Sequence, residues 1–308
     1  MRTVAALAAL ALAACAGELP DTGDAGDRAD AGGPDADPCR APTVAPAWLD
    51  GYLTATVAKL TGAAEVAPGV RLADRATAAR RAATRTFLTA ELADLGLAAT
   101  LDSYGAGANV MAELPATTGA AAALVIVGAH FDTVAGSPGA DDNAAGVAAT
   151  LAVARMLGDV ACRDRPVRFV LFDQEEVGLV GSTYLAGRLR QAGATVTAAH
   201  TIDQLGWDGD GDRRFEIELP TPTLWAAYQA AAATLAVGVD ETATGSTDHQ
   251  AFRERGFAAV GVSEEWTSGD TTPHYHAATD TAATLTIPYL ALGTRLVALV
   301  VARQLGAP

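Results

Sequence analysis

The chain is poor in lysine, cysteine and histidine. Of its 308 residues one is lysine, Lys59, and 21 basic side chains against 36 acidic ones leave a net charge of -15 at pH 7. Without a basic patch, so acidic a chain repels phosphate backbones and anionic headgroups, which argues against nucleic acid as a partner. No G-x-S-x-G elbow occurs, so a serine hydrolase reading has little support. There is no internal repeat, and nothing in the sequence points to a protein partner. Half of the residues are hydrophobic, yet much of that share is alanine, so the apparent hydrophobicity overstates the core. The length gives room for one large domain of roughly 250 residues or two smaller ones.

The apolar run that opens the chain, through Leu12-Ala13-Ala14-Cys15, is too short to span a bilayer but suits a secretory signal. Its end resembles the bacterial lipobox, which implies cleavage before Cys15 and acylation of that residue. A triacylated cysteine holds a domain at a membrane surface, so residues 1–15 are expected to be a lipoprotein-type signal and the protein to be exported and anchored at the bacterial cell envelope. Residues 16–46 are acidic, rich in Ala, Gly, Asp and Pro, and are expected to form a disordered tether. With Cys15 spent on lipid, Cys39 and Cys162 remain, and in an exported protein they are expected to pair.

Residues 47–308 read as one catalytic domain. Apolar spacing predicts helices over Trp48 to Leu60 and Arg75 to Leu97, and short β-rich runs follow near Thr100 to Tyr104 and Asn109 to Leu114. Ala122 to Gly128 is a continuous apolar run, as for a strand buried on both faces, Val167 to Phe172 reads as the next buried strand, and Val196 to Ile202 as another strand. Helices predicted over Ala144 to Leu157 and Gly181 to Ala192 alternate with them. The pattern predicts an α/β fold, a three-layer αβα sandwich on a largely parallel, mixed central sheet. Beyond these lie Arg214 to Leu219, a helix near Thr223 to Leu235, a strand over Ala258 to Val262 and a last helix from about Pro288 to Gln304. In such sheets ligands gather at the carboxyl ends of strands.

Five stretches carry side chains able to bind a divalent metal: His130-Phe131-Asp132, Asp141-Asp142-Asn143, Glu175-Glu176, Asp203 and His274-Tyr275-His276. Zinc takes imidazole nitrogen and carboxylate oxygen, and two zincs sharing a carboxylate need about five protein ligands. Asp132 lies on the same strand face as His130 and can hold its ring. Glu175 and Glu176, adjacent anions after a buried strand, repel unless a cation or solvent compensates. One can ligate while the other takes a proton from water. Only one of His274 and His276 need ligate, while His200 and His249 read as structural or pocket-wall groups.

The strings His130-Phe-Asp132, Pro138-Gly-Ala-Asp-Asp142-Asn-Ala-Ala-Gly146, Glu175-Glu176-Val-Gly178-Leu-Val-Gly181 and His276-Ala-Ala-Thr-Asp280 resemble the two-zinc aminopeptidases of metallopeptidase family twenty-eight, which include secreted bacterial leucyl aminopeptidases. The resemblance runs from about Arg75 to the C-terminus. It implies two zinc ions per chain, with Asp142 bridging them, Glu176 and His276 completing one site, and His130 and Asp203 the other. It also implies that Glu175 is the general base activating the bridging water, that Asp132 orients His130, and that the Asp142-Asn143 bond is cis. Where some relatives have a carbonyl-polarising tyrosine, this chain has the region of Thr244, and Tyr275 is a substitute. Glu264 and Glu265 are candidates to meet a substrate amine.

The function these readings favour is hydrolysis of N-terminal residues from peptides. The alternatives are a one-zinc glutaminyl cyclase-like transferase, a carboxypeptidase or dipeptidase of the same fold, and a non-catalytic binding ectodomain.

Overall fold

The computed structural model describes residues 45–119 and 123–306. Cys15 and Cys39 lie outside the described residues. Cys162 is disulfide-bonded. Two helices open the domain, α1 (Leu49–Leu60) and α2 (Ala78–Asp94), the second capped by the Thr77 side chain, which accepts from Arg80 N. Then come β1 (Thr100–Tyr104), β2 (Gly107–Leu114), β3 (Leu124–His130), α3 (Gly146–Gly158), β4 (Val167–Phe172), α4 (Val180–Gln191) and β5 (Val196–Ile202). The chain continues with β6 (Arg214–Glu218), α5 (Pro222–Leu235), β7 (Gly238–Thr242), α6 (His249–Arg253), β8 (Ala259–Ser263) and α7 (Ile287–Gln304).

The strands form one mixed sheet in the order β1-β2-β4-β3-β5-β8-β6-β7. Its centre, β4-β3-β5-β8, is parallel, and β2 and β6 join it antiparallel on either side. Successive residues of a strand face opposite ways, so Val125, Val127 and Ala129 of β3 pack with Leu53, Phe87, Leu151 and Leu296 of α1, α2, α3 and α7. Leu124 and Ile126 pack instead with Leu185, Leu189 and Phe252 of α4 and α6. These are the two helical layers and the doubly buried strands that the apolar runs imply. Among the described residues, no helix is long and apolar enough to cross a membrane.

Two elements depart from the expected pattern. β7 pairs with β6 at the sheet edge, where its half-exposed residues lack the apolar alternation that marks a strand in sequence. The short helix α6 is not among the helices expected from apolar spacing.

Candidate metal centre

The parallel strands deliver the candidate residues to one edge of the sheet. His130 ends β3, Asp203 follows β5, and Glu175 and Glu176 follow β4 after a turn in which Gln174 has φ 65°. The turn after β3 brings Asp142 to the same place, with a cis bond between Asp142 and Asn143. Asn143 secures the next helix, its Oδ1 accepting from Gly146 N at 2.8 Å and its Nδ2 donating to Ile202 O at 2.8 Å. His276, at φ 54°, arrives from the loop after β8.

Asp142 shows one carboxylate oxygen to each of two imidazoles: Oδ1 is 3.2 Å from His130 Nε2 and Oδ2 is 3.1 Å from His276 Nε2. Each imidazole also faces a second carboxylate, His130 that of Asp203 at 3.3 Å and His276 that of Glu176 at 3.1 Å. Tetrahedral bonds of about 2.1 Å place ligand atoms roughly 3.4 Å apart, so both groups have the spacing of a zinc donor set. His130, Asp142 and Glu176 also form one cluster able to hold an ion.

Burial opposes charge on His130, yet Asp203 and Glu175 outweigh it and hold the imidazole well above its ordinary range. Burial alone would raise Asp142, but His130 and His276 pull it below the usual carboxylate range. Glu176 is pushed up to about 7 by burial and by the charge of Asp142. Burial pushes Glu175 up to about 10, His130 opposing and Asp203 adding to the rise. A divalent cation among these groups reverses that balance and favours the ionised forms.

Asp132 does more than the sequence suggests. The closer partner of His130 Nδ1 is the backbone carbonyl of Asp132, at 3.2 Å, and the carboxylate is 3.6 Å away. That carboxylate instead accepts from the amides of Glu175 at 2.9 Å and Glu176 at 3.2 Å. Asp132 therefore links the imidazole to the Glu-Glu turn.

Two buried residues hold the Asp142 turn that sequence reasoning left without a role. Asp280 accepts from the amides of Asp141 at 2.9 Å and Asp142 at 3.2 Å. Arg75 is fully buried and donates to the carbonyls of Phe131, Leu60, Pro138 and Gly139 at 2.5–2.8 Å. Asp142 and Asp280 supply negative charge around it. Gly139, at φ 64°, leaves space for this guanidinium, since a Cβ there would lie 2.8 Å from Nη2. Arg75→Ala strands four carbonyls and removes the counter-charge, so a loss of about 3 kcal/mol or more is expected. Denaturant midpoints of the two proteins check it.

Tyr275 and Thr244 both line the cavity over Asp142, Glu175 and His276, together with Trp266. The Tyr275 ring stacks on His276 with centroids 3.7 Å apart. Glu264 and Glu265 do not line this cavity, contrary to the sequence expectation. Glu264 is fully buried, accepting from Trp207 N and Thr272 N, and shares a hydrogen bond with Asp141. Glu265 faces Asp210 and Asp212. Both stand next to Trp266 in the loop leading to His276, but the Glu264 side chain turns inward to hold the amides of Trp207 and Thr272. His274 bonds Thr279 rather than joining the carboxylates, and His200 is buried between Tyr228 and Gln304.

A family model described as Peptidase family M28 matches residues 109–301. Among curated proteins, Aminopeptidase YwaD of Bacillus subtilis is 30% identical over 167 residues, 51% of this chain and 36% of that one. The Probable lipoprotein aminopeptidase LpqL of Mycobacterium tuberculosis is 45% identical over 74 residues, 24% of this chain and 14% of that one. The chain spans well under two thirds of the length of these relatives. Among solved structures, BSAP, a zinc aminopeptidase from Bacillus subtilis, matches with a TM-score of 0.59 and 25% identity, covering 64% of this chain and 50% of that one. Porphyromonas gingivalis glutaminyl cyclase matches with a TM-score of 0.67 and 21% identity, covering 83% of this chain and 98% of that one. That second likeness shows a shared fold alone.

Proposed function

The chain belongs to peptidase family M28, and from that premise we propose that it is a two-zinc aminopeptidase releasing N-terminal residues from peptides. One observation carries the reading: Asp142 stands between His130 and His276, each of which faces a further carboxylate. His130, Asp203 and Asp142 would hold one zinc, and His276, Glu176 and Asp142 the other. Zinc, when bound, supplies Lewis-acid polarisation of the scissile carbonyl and makes water acidic enough to attack near neutral pH.

The remaining chemistry belongs to the chain. Glu175, at the edge of the donor set with Oε2 4.0 Å from His130 Nε2, takes a proton from the attacking water. It returns that proton to the amine as the C–N bond breaks. Asp132 fixes the backbone that presents Glu175, and Trp266 and Tyr275 wall the cavity beside it.

The His130 and Asp203 pair favours this reading over a one-zinc cyclase, and a full donor set with Glu175 favours an enzyme over a binding ectodomain. The lipobox resemblance at Cys15 supports export and lipid anchoring, in keeping with the naming of LpqL as a probable lipoprotein. Residues 16–46 serve as the tether and 47–308 as the catalytic part.

Aminoacyl arylamides assayed beside N-blocked peptides, with and without chelator, test the reading. Hydrolysis of free N-termini alone, abolished by chelation, is expected. Cleavage of blocked peptides from the carboxyl end indicates a carboxypeptidase, and pyroglutamate formation without peptide cleavage indicates a cyclase.

A further inference from the structure

The wall of the cavity away from the donor set is polar, and one carboxylate on it has no counter-charge. Glu218, the last residue of β6, is 2% exposed and lines the cavity. Its Oε1 accepts from Ser263 Oγ at 3.1 Å, and the Thr247 hydroxyl also approaches the carboxylate, whereas no cationic side chain meets Oε2, which is unsatisfied among the described residues. Oε2 lies 3.4 Å from Nδ1 of His249. That imidazole does not meet it as a cation, because burial lowers His249 to about 4. His249 Nε2 faces the carbonyl of Thr244 at 3.0 Å, and its Nδ1 is 2.8 Å from Thr247 Oγ1. None of the described residues lining the cavity is lysine or arginine.

The fold keeps space for this carboxylate. Gly261, the cross-strand partner of Glu218 on β8, has no Cβ where one would collide with Oε2. Burial and the charge of Asp203 push Glu218 up to about 8, so its ionised form is costly until a cation arrives. Two zincs would neutralise the nearby donor set and leave Glu218 over. Gln204, Thr247 and Ser263 extend the polar wall, while Trp266 and Tyr275 meet edge to face at 4.8 Å as an apolar flank. A methylene stem packed on aromatic rings with a cationic tip on a carboxylate suits such a lining.

We propose that Glu218 makes this cavity a pocket for a cationic first residue, so that peptides beginning with lysine or arginine are the preferred substrates. The assignment rests on the aminopeptidase reading and narrows it. A pocket for leucine has no use for a buried carboxylate without a counter-charge, since a methyl group supplies none.

Lysyl and norleucyl arylamides test this, because their side chains have the same carbon count and differ by the ammonium. The wild type is expected to favour the lysyl substrate in kcat/KM by roughly tenfold to a hundredfold. In Glu218→Gln the ratio is expected to fall close to one with norleucyl hydrolysis retained, and Glu218→Asp is expected to keep part of the preference. A norleucyl preference in the wild type, or a ratio unchanged in Glu218→Gln, overturns the proposal. Equal loss on both substrates also overturns it, by placing Glu218 on the α-ammonium or on the fold.

If the wild type cleaves no arylamide, the aminopeptidase reading fails, and calorimetry with free lysine and norleucine still reads the pocket. Tighter lysine binding that Glu218→Gln abolishes sustains the cationic pocket, and equal binding of the two amino acids overturns it.

Discussion

Glu175→Gln is expected to lower kcat by about 10²- to 10⁴-fold, the range for loss of a positioned general base, while zinc content and fold stay as in the wild type. Glutamine has nearly the shape of glutamate, and the backbone amide of Glu175 still donates to Asp132. What the substitution removes is an oxygen that accepts a proton. Because Glu175 stands at 4.0 Å from His130 Nε2, farther than Asp142 or Asp203, metal affinity should change little. Steady-state kinetics with metal analysis of the same sample separates the two effects. Near-full activity in the variant would mean that another group carries the proton.

Asp142→Ala is expected to cost both metals, whereas Asp203→Ala should weaken one. The difference follows from the carboxylate of Asp142, whose two oxygens face different imidazoles, while Asp203 faces His130. The turn should survive the alanine substitution, since its bonds to Asp280 come from the amides of Asp141 and Asp142. Activity of Asp142→Ala should fall to background, and circular dichroism should show the fold intact. Loss of a single metal in this variant would show that the carboxylate does not bridge.

Much of this was legible in the sequence, and the reasons differ from element to element. β3 is a continuous apolar run from Leu124 to Ala129 because both of its faces lie under helices, so the strand could be read directly. β7 was not legible, since an edge strand with half-exposed Gly238–Thr242 need carry no such run.

The candidate donors stand beside strand ends in recognisable strings, and the structure brings His130, Asp142, Glu176, Asp203 and His276 together. Arg75 and Asp280 were left without a role because their roles depend on partners far away in the chain: Asp280 holds amides more than a hundred residues distant. Glu218 escaped notice for a related reason. Only the β6–β8 pairing and the approach of His249 show that its carboxylate faces a cavity rather than solvent.

Zinc per chain, determined by elemental analysis of protein purified without chelator, tests the central claim most directly. Two zincs per chain, falling to fewer than one in Asp142→Ala, is the predicted result. A single zinc in the wild type, unchanged by Asp203→Ala, would contradict it.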